Sequence, residues 1–475
     1  MPSPIRRSSL YTLAACALLT GIAGCGGGGG SSDDDGPLAS CGEPARKQFV
    51  LDVTREWYLF DDLLPTSVNT ADFADAEELL DYLTATARDQ GKDRYFSYLT
   101  TRAAENSLLG EGQFIGFGFR TRTDPVNRPM ILEVFETSPA ADANMRRGDE
   151  ITHVDSGSGY VPVSVLLADG TTISDVLGPA EVGVQRGLRL LRDGVSRDVT
   201  LVKRTVTIDP VSDVYGVRIF PQAGTPGVGY VNLRTYITTA DPQLRSVFTQ
   251  FRALGLQDFI VDLRYNGGGL VSISELINNL FGSGRRTTDV QFRYVLNTRK
   301  ANSCDPNCTT RFNPTNQSVQ PVRIAFLTTG STASASEMNV NSMAPWVTVA
   351  IIGDDTLGKP VGQYAFDLPG CDDRLRLVTF KTVNASNQGD YYDGLADSIM
   401  ANGDYACAAS DTLDQPLGST SEGMISAAMD WLGTGRCPSM AAGLALGKTA
   451  RAEIEQRYPR PRHPSAAQWW LPSLN

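Results

Sequence analysis

Residues 323–352 read RIAFLTTGSTASASEMNVNSMAPWVTVAII and contain two apolar runs separated by a turn rich in small residues. The runs at 323–327 and 347–352 predict buried strands, and the segment between them predicts a helix over 334–343. The same alternation of strands and helices extends over 205–436. Strands joined by helices pack as a largely parallel sheet. The sequence therefore predicts an α/β core.

Ser334 lies at the junction between the first of these strands and the helix. Small and hydroxyl-bearing residues surround it, in the order GSTASASEM over 330–338. Backbone N–H groups at a helix N-terminus lack partners within the helix, and the helix dipole favours negative charge there. A nucleophilic serine at this point would have donors for a developing oxyanion. Serine is also a common capping residue, so the local sequence leaves both interpretations open.

The histidine content restricts which base could activate Ser334. The chain has two histidines, His153 and His463, and neither lies near the 330–338 motif. A Ser-His-Asp triad would have to recruit one of them. The metalloprotease motif H-E-x-x-H and the phosphate-binding P-loop motif are both absent from the sequence. A hydrolase built on this chain therefore needs a base other than histidine.

Lys359 is the candidate base. It lies in GDDTLGKPVGQ, residues 353–363, directly after the strand predicted at 347–352. A lysine between glycine and proline at a strand end is usually a solvated turn residue. Beside a serine in a closed apolar cleft, the same amine can lose its proton and act as a general base. Spacing by itself does not decide between these two interpretations.

The two motifs together resemble the carboxy-terminal processing (tail-specific) peptidase family. The resemblance rests on TASASE at 332–337 followed by Gly-Lys ending at Lys359. It implies that Ser334 is the nucleophile and Lys359 the base. In several members a glutamine four residues after the lysine orients it, and Gln363 has that position here.

A third segment, DLRYNGGG at 262–269, is similar to the D-L-R-x-N-x-G-G turn of the same family. The resemblance implies that the backbone N–H groups of Gly268 and Ala335 form the oxyanion hole. Taken alone, a glycine-rich turn after a strand would be assigned as a loop. Three motifs in the family's order make the resemblance specific, and it covers most of the chain from about residue 45 to 435.

Residues 110–204 resemble a bacterial-type PDZ domain. The resemblance rests on GFGF at 116–119, SPAA at 138–141 and RGDEI at 147–151, which occur in that order. It implies a peptide-binding site in which backbone N–H groups hold a peptide carboxylate while the peptide adds a strand to the domain. The residues implied are Gly116, Phe117, Gly118 and Phe119.

The family implies a crotonase-like α/β peptidase core with an inserted PDZ-like domain and a helical N-terminal region. Apolar and aromatic residues at helical spacing support the helical assignment before residue 108. The predicted segments are a signal peptide (1–24), a lipidated cysteine with a flexible tether (25–41), a helical region (42–109), a PDZ-like domain (110–204), the peptidase core (205–436) and a C-terminal tail (437–475).

The N-terminus has the pattern of an export signal. A short basic start precedes an apolar run at 10–23, which is too short to span a bilayer comfortably. The run ends in Ile-Ala-Gly-Cys25, which resembles the lipobox of bacterial lipoproteins, and a glycine-rich tether follows. An ordinary secreted protein cut near Ala23 is the alternative. We expect a cell-envelope lipoprotein, in the outer membrane facing the periplasm, whose contact with the membrane is the lipid anchor alone.

Six cysteines remain after the signal segment and Cys25. In an exported protein an even set indicates disulfides, and six cysteines allow 15 connectivities. A local loop between Cys304 and Cys308 is one option, and zinc is its competitor, although no histidine accompanies the pair. The six are Cys41, Cys304, Cys308, Cys371, Cys407 and Cys437. The Pro- and Trp-rich tail after Cys437 has no clear place, and packing on the surface is one option.

The net charge indicates which classes of molecule this protein can bind. The formal net charge of −11 argues against nucleic acid, since a phosphate backbone would be repelled. The partners expected are protein or peptide substrates, with no metal or organic cofactor. The leading hypothesis is a serine endopeptidase. The alternatives are a non-catalytic PDZ peptide-binding scaffold of the cell envelope and an esterase or amidase on small substrates. The sequence does not indicate the oligomeric state.

Overall fold

The computed structural model describes residues 41–124, 126–168, 170–303, 308–437, 464–471 and 473–475. The predicted signal peptide and Cys25 lie outside these residues, as does most of the predicted tail. Within the described ranges, no helix combines the length and the apolar composition that crossing a bilayer would need.

The N-terminal region is mainly helical, as predicted. Its elements are α1 (Glu43–Trp57), α2 (Ala76–Asp89), β1 (Tyr98–Thr101) and α3 (Arg102–Glu105), with 3-10 turns at Asp61–Leu63 and Thr70–Asp72 and a π-helical turn at Asn106–Gly110. The Asp75 carboxylate caps α2 by accepting the N–H of Glu78 at 2.8 Å. One face of α2 is buried through Leu79, Leu80 and Leu83. The aromatic and aliphatic residues of this region therefore form core, as their spacing indicates.

The PDZ-like module is an antiparallel sheet in the order β3-β4-β5-β7-β8, with β6 beside β5 and a separate pair β2-β9. Its elements are β2 (Gln113–Gly116), β3 (Phe119–Thr123), β4 (Pro129–Val134), α4 (Pro139–Asp142), β5 (Glu150–Asp155), β6 (Tyr160–Pro162), α5 (Val163–Leu166), α6 (Ile173–Leu177), β7 (Gln185–Arg192), β8 (Val195–Val202) and β9 (Arg204–Thr207). Asp193 and Gly194 both have positive φ, which is the turn geometry that matches the twist of a two-residue hairpin.

The core contains a six-stranded sheet in the order β10-β11-β12-β15-β16-β19. All of its neighbouring strands run parallel except the antiparallel pair β10-β11. The elements from here to the end of the core are β10 (Val217–Phe220), β11 (Val228–Asn232), α7 (Ala240–Ala253), β12 (Asp258–Asp262), α8 (Val271–Leu280), β13 (Val290–Leu296), β14 (Thr309–Arg311), β15 (Arg323–Thr328), α9 (Ala335–Met343), β16 (Thr348–Gly353), β17 (Val361–Asp367), β18 (Asp373–Asn384), α10 (Ala396–Ala401), β19 (Tyr405–Ala408) and α11 (Gly423–Thr434).

Helices cover both faces of this sheet. Because side chains alternate along a strand, Phe259 and Val261 of β12 face α7, α8 and α9, whereas Ile260 faces α11. Both faces are apolar, which explains why the strands appear in the sequence as continuous apolar runs. The predicted α/β class is confirmed.

A second, antiparallel sheet joins the N-terminal region to the core. β1 pairs with β18, which also pairs with β13 and β17, and β14 extends the sheet beyond β13. Leu375 and Leu377 of β18 are buried against α1 and α2. Because Lys359 lies just before β17, the N-terminal region is packed beside the predicted catalytic lysine.

Two disulfides join distant parts of the described chain. Cys41 bonds to Cys371, and Cys407 bonds to Cys437. The first connects the start of α1 to the β17-β18 turn. Cys308 is disulfide-bonded as well, whereas Cys304 lies outside the described residues. The sequence had left all 15 pairings open.

The described part of the tail is buried, which differs from the surface location considered from the sequence. A short helix spans Ala466–Trp470, and Trp470, Leu471 and Leu474 are each at most 5% exposed. They pack in an apolar cluster with Leu108 and other residues of the core and module. The prolines of the tail suggested an irregular surface segment, but its large apolar side chains have a matching cluster to fill.

Candidate active site

Ser334 occupies a strained turn between β15 and α9. Its φ of 58° and ψ of −118° lie outside the regions that residues with a side chain normally adopt. It is half-buried, while its neighbours Ala333 and Ala335 are buried. A serine on a sharp strand-to-helix turn of this kind presents its hydroxyl at the top of the sheet, as nucleophilic serines of α/β hydrolases do. Strain at one residue is a reason to suspect function there.

The carboxylate of Glu337 joins the serine turn to the lysine turn. It accepts the backbone N–H of Ser334 at 2.8 Å, that of Gly358 at 2.7 Å and that of Lys359 at 2.8 Å. Glu337 is fully buried, and burial raises its pKa, although these hydrogen bonds and one from Thr356 act in the opposite direction. One side chain therefore fixes the backbone of both motifs that the sequence singled out.

The side chain of Lys359 lies between aromatic rings. Its Nζ is 4.8 Å from the ring centre of Phe96 and 5.8 Å from that of Trp470. Lys359 is 8% exposed. The predicted base is thus enclosed by apolar ring faces and is not the solvated turn residue that its local sequence also allowed.

Gln363 contacts the residue that covers the lysine. Its Nε2 donates to the backbone carbonyl of Phe96 at 2.8 Å. Asp93 holds the same loop, accepting the N–H groups of Phe96 and Ser97 at 2.8 and 3.1 Å. Gln363 therefore holds the backbone of Phe96, whose ring lies 4.8 Å from Lys359 Nζ.

Gly268 lies against the serine. A side chain at this position would place its Cβ 2.9 Å from the Cβ of Ser334, and the φ of +102° is one that glycine tolerates. Its N–H donates to the Oδ1 of Asn266 at 2.9 Å. Ala335 is the first residue of α9, so its N–H belongs to the unpaired group at the helix start. For Gly268 to serve as an oxyanion donor, Asn266 must give up this hydrogen bond.

Two family models match this chain. The model of peptidase family S41 matches residues 227–395, and that of the S41 N-terminal domain matches residues 45–98. The chain carries the domains of peptidase family S41. The family resemblance inferred from the three motifs is therefore confirmed. Ser334, Lys359 and the 262–269 turn all lie within the matched S41 domain, and Phe96 lies at the end of the matched N-terminal domain.

Curated relatives of the S41 domain are processing peptidases. The chloroplastic C-terminal processing peptidase of Tetradesmus obliquus is 28% identical over 56% of this chain and 54% of its own length. The carboxyl-terminal-processing protease of Synechocystis sp. is 22% identical over 54% of this chain and 56% of its own length. The chain thus spans about half the length of the curated relatives it matches.

A solved structure shares the fold over most of the chain. The crystal structure of a putative S41 protease from Bacteroides fragilis matches with a TM-score of 0.62 and 22% identity, covering 81% of this chain and 96% of that one. At this identity the likeness shows the fold alone. This likeness agrees with the mixed α/β architecture of the core and with the helical N-terminal region described above.

The predicted peptide-binding segment contacts the last residues of the chain. The N–H groups of Gly118 and Phe119 donate to the backbone oxygen of Asn475 at 2.8 and 3.2 Å. A Cβ at Gly116 would lie 3.2 Å from the carbonyl carbon of Asn475, so glycine permits this approach. Phe117 instead packs inside the module core. The structure therefore brings three of the four predicted residues to one groove and leaves the Phe117 side chain outside it.

Hydrogen bonds from two arginines and one ion pair connect the module to the core near Gly268. Arg120 of β3 donates to the carbonyl oxygens of Tyr265 and Arg234. Arg147 donates to the Tyr265 hydroxyl at 2.8 Å and pairs with Asp411 at 2.5 Å. The strand that borders the peptide groove is therefore fixed to the turn that carries Gly268.

None of the sequence motifs assigns a role to Phe96, Asp93 or Trp470, and Glu337 lies within the 330–338 motif without a catalytic assignment. Phe96 and Asp93 belong to DRYFSYL at 93–99, a segment without a recognisable catalytic motif. The buried acid of Ser-x-x-Glu at a helix start is a recognisable capping pattern. The hydrogen bond between Glu337 and the backbone of Lys359 depends on how the later 353–363 turn packs against α9. No local sequence pattern predicts that packing.

Proposed function

We propose that this chain is a serine endopeptidase that acylates on Ser334. Lys359 takes the hydroxyl proton as the serine attacks the peptide carbonyl and then passes it to the leaving amine. Water hydrolyses the acyl-enzyme by the same proton route in reverse. The N–H groups of Gly268 and Ala335 bind the developing oxyanion, and Gln363 keeps Phe96 over the amine. The substrates are segments of exported proteins.

The observation that carries this proposal is the backbone of Ser334. Ser334 begins α9 with a φ of 58° and a ψ of −118°, and strained backbone of this kind clusters at functional sites. Glu337 fixes this serine and a buried lysine through the same carboxylate. A capping serine would account for the helix start, but it would not account for the lysine enclosed beside it.

The groove along β3 is proposed to deliver peptide ends to this site. Gly118 and Phe119 donate their N–H groups to a backbone oxygen of Asn475, and β3 is an edge strand of the module's sheet on which an extended segment pairs. The non-catalytic scaffold is the alternative that this groove alone would support. The enclosed Lys359 favours the enzyme.

The first prediction is that Ser334 and Lys359 act as one unit. Ser334→Ala removes the nucleophile, and Lys359→Ala leaves the hydroxyl proton without an acceptor. Each variant should lose activity on an unfolded protein by roughly 10³-fold or more, and the double variant should be hardly worse than either one. Lys359→Arg should be equally inactive, because guanidinium stays protonated. Gln363→Ala should retain partial activity.

Circular dichroism and thermal melting should show that these variants stay folded. Lys381→Arg, at a partly exposed lysine that pairs with Asp390, is the matched control and should keep full activity. Full activity in Lys359→Arg would contradict the mechanism. Loss of activity in Ser334→Ala together with full activity in both lysine variants would mean that another base serves the serine.

The location of the chain is also a proposal. The Cys25 lipobox and the glycine tether support a lipid anchor at the cell envelope, in the outer membrane facing the periplasm. Cys25 lies outside the described residues, so the sequence pattern alone supports it.

A further inference from the structure

Residues 473–475 pair with the edge of β3 as an added strand. The N–H of Thr121 donates to the carbonyl of Ser473 at 3.1 Å, and the N–H of Asn475 donates to the carbonyl of Phe119 at 2.9 Å. Arg120 and Leu474 are antiparallel partners. With the donors of Gly118 and Phe119, this is the hydrogen-bond pattern of peptide recognition by strand addition.

The side chain of Asn475 is hydrogen-bonded in a polar pocket. Its Oδ1 accepts the Ser174 hydroxyl at 2.6 Å, and its Nδ2 donates to Thr121 Oγ1 at 3.0 Å. Ser174 and Thr121 are both buried. A buried hydroxyl without a hydrogen-bond partner costs free energy, so this pocket favours a side chain that can both accept and donate hydrogen bonds.

The same segment reaches the predicted catalytic lysine. Trp470 is 5% exposed, and its ring lies 5.8 Å from Lys359 Nζ on one side and 5.4 Å from the Arg376 guanidinium on the other. Leu471 and Leu474 are buried between the module and the core. The segment therefore contacts the peptide groove at one end and the catalytic site at the other.

We propose that residues 464–471 and 473–475 are a resident ligand of the groove, which occupies the place of a peptide substrate and covers Lys359. This inference rests on the proposed function of the groove and of Ser334. A tethered ligand acts at a high effective concentration, so an incoming peptide must compete with it. The apparent affinity for that peptide falls by the fraction of molecules whose groove is open. The preferred competitors are peptides in which an apolar residue is followed by one with an amide side chain.

Binding measured without turnover tests this directly. A fluorescently labelled synthetic peptide with the sequence SAAQWWLPSLN is titrated against the Ser334→Ala chain, and against the same chain carrying Leu474→Asp or Trp470→Ala. Leu474→Asp places a charge in the apolar cluster, and Trp470→Ala removes the ring over the lysine. Fluorescence anisotropy should show at least roughly tenfold tighter peptide binding once the resident segment is released. Leu254→Asp, at an exposed leucine, is the matched control and should bind as the parent does.

A chain lacking 464–475 gives a second route to the same state, in case a point variant folds poorly. The labelled peptide with Asn475→Leu should bind this shortened chain roughly tenfold more weakly than the original peptide, because it loses the contacts to Ser174 and Thr121. Equal binding by the parent, Leu474→Asp and shortened chains would overturn the proposal. So would failure of every chain to bind the peptide.

An activity measurement separates this proposal from the proposed function. With Ser334 intact, Leu474→Asp should cleave an unfolded protein several-fold faster than the parent. If neither chain cleaves but release still tightens peptide binding, the resident ligand stands and the peptidase proposal fails. If both cleave equally and bind the peptide equally, the peptidase proposal stands and the resident ligand is wrong.

Discussion

Glu337 shows how one residue can fix the two segments that are predicted to be catalytic. Its two carboxylate oxygens accept three backbone N–H groups, from Ser334, Gly358 and Lys359. Hydrogen bonds to an ionised acceptor are stronger than neutral ones, which offsets part of the cost of burying the charge. A serine turn with positive φ and a lysine turn are thereby kept in a fixed relation, although each is a loop on its own.

Glu337→Gln should damage activity more than stability. The amide replaces one accepting oxygen by a donor, so at least one of these N–H groups loses its partner. We expect a loss of about 1–3 kcal/mol in the free energy of unfolding. We also expect a fall of roughly 10- to 100-fold in kcat/KM, because small misplacements of catalytic groups are costly.

Urea unfolding and steady-state kinetics measure the two effects. Glu275→Gln, at a half-buried glutamate on α8, is the control and should leave kcat/KM unchanged. Wild-type kcat/KM in Glu337→Gln would show that the carboxylate does not set the relation between the two turns.

At the scale of elements, the 262–269 turn connects β12 to α8 and lies beneath Ser334. The Asp262–Arg264 ion pair at 2.9 Å is buried at its start, and Asn266 closes its middle through the N–H of Gly268. Gly269 follows with a φ of +138°, and a Cβ there would lie 2.2 Å from the carbonyl oxygen of Tyr236. The turn can therefore pass this close to the Tyr236 backbone only with glycine.

Gly269→Ala should displace the turn and with it Gly268. The added methyl meets a backbone oxygen, which cannot rotate away. Gly255→Ala is the matched control, because Gly255 also has a positive φ of +65° but nothing within 4 Å of its would-be Cβ. The control should lose about 1–2 kcal/mol from the left-handed backbone alone. Gly269→Ala should lose at least about 2 kcal/mol more and most of its activity.

Thermal melting and a peptidase assay compare the two glycine variants. Equal losses of stability would mean that the backbone near Tyr236 yields, and that the close approach is not what requires glycine at 269.

At the scale of the whole molecule, a buried cluster of charges joins the module to the S41 domain. Asp411 pairs with Arg147 and Arg122 of the module and with Arg264 of the turn after β12. Burial acts to raise the pKa of Asp411, but the three arginines outweigh it and hold that pKa well below its usual range. The module is thus tied to the catalytic turn by charge as well as by apolar packing.

Asp411→Asn should destabilise the chain by about 3–5 kcal/mol near neutral pH, because it removes the carboxylate that pairs with the largely buried Arg147 and leaves Arg264 with fewer anions. A carboxyl whose pKa is lowered by folding stabilises the folded state above its unfolded pKa of about 3.9, and this contribution is lost as the pH falls toward the folded-state pKa. The difference between wild type and Asp411→Asn should therefore shrink between about pH 5 and about pH 3.

Urea unfolding at several pH values measures this difference. Asp198→Asn, at an exposed pair with Arg189, is the control and should change stability by at most about 1 kcal/mol. A difference for Asp411→Asn that stays constant down to about pH 3 would contradict the assigned ionisation of Asp411.

The elements of the fold and the order of the motifs could be predicted without knowledge of the tertiary structure. Apolar runs and helical spacing are local properties, so the strands of the core, the helix after Ser334 and the Asp193-Gly194 hairpin could be predicted from short windows. The motifs around Ser334 and Lys359 were sufficient to predict the family, which the comparisons confirm. The roles of the site residues remain predictions.

Only the tertiary structure decided which distant residues meet. Cys41 bonds to Cys371, Phe96 covers Lys359, and Asn475 lies on Gly118, and no local pattern links the members of these pairs. Such contacts depend on how whole layers pack, because buried apolar area and satisfied hydrogen bonds are summed over the entire fold. For this reason, the position of the proline-rich tail could not be predicted from the sequence. In the structure, its apolar side chains fill a cluster between the module and the core.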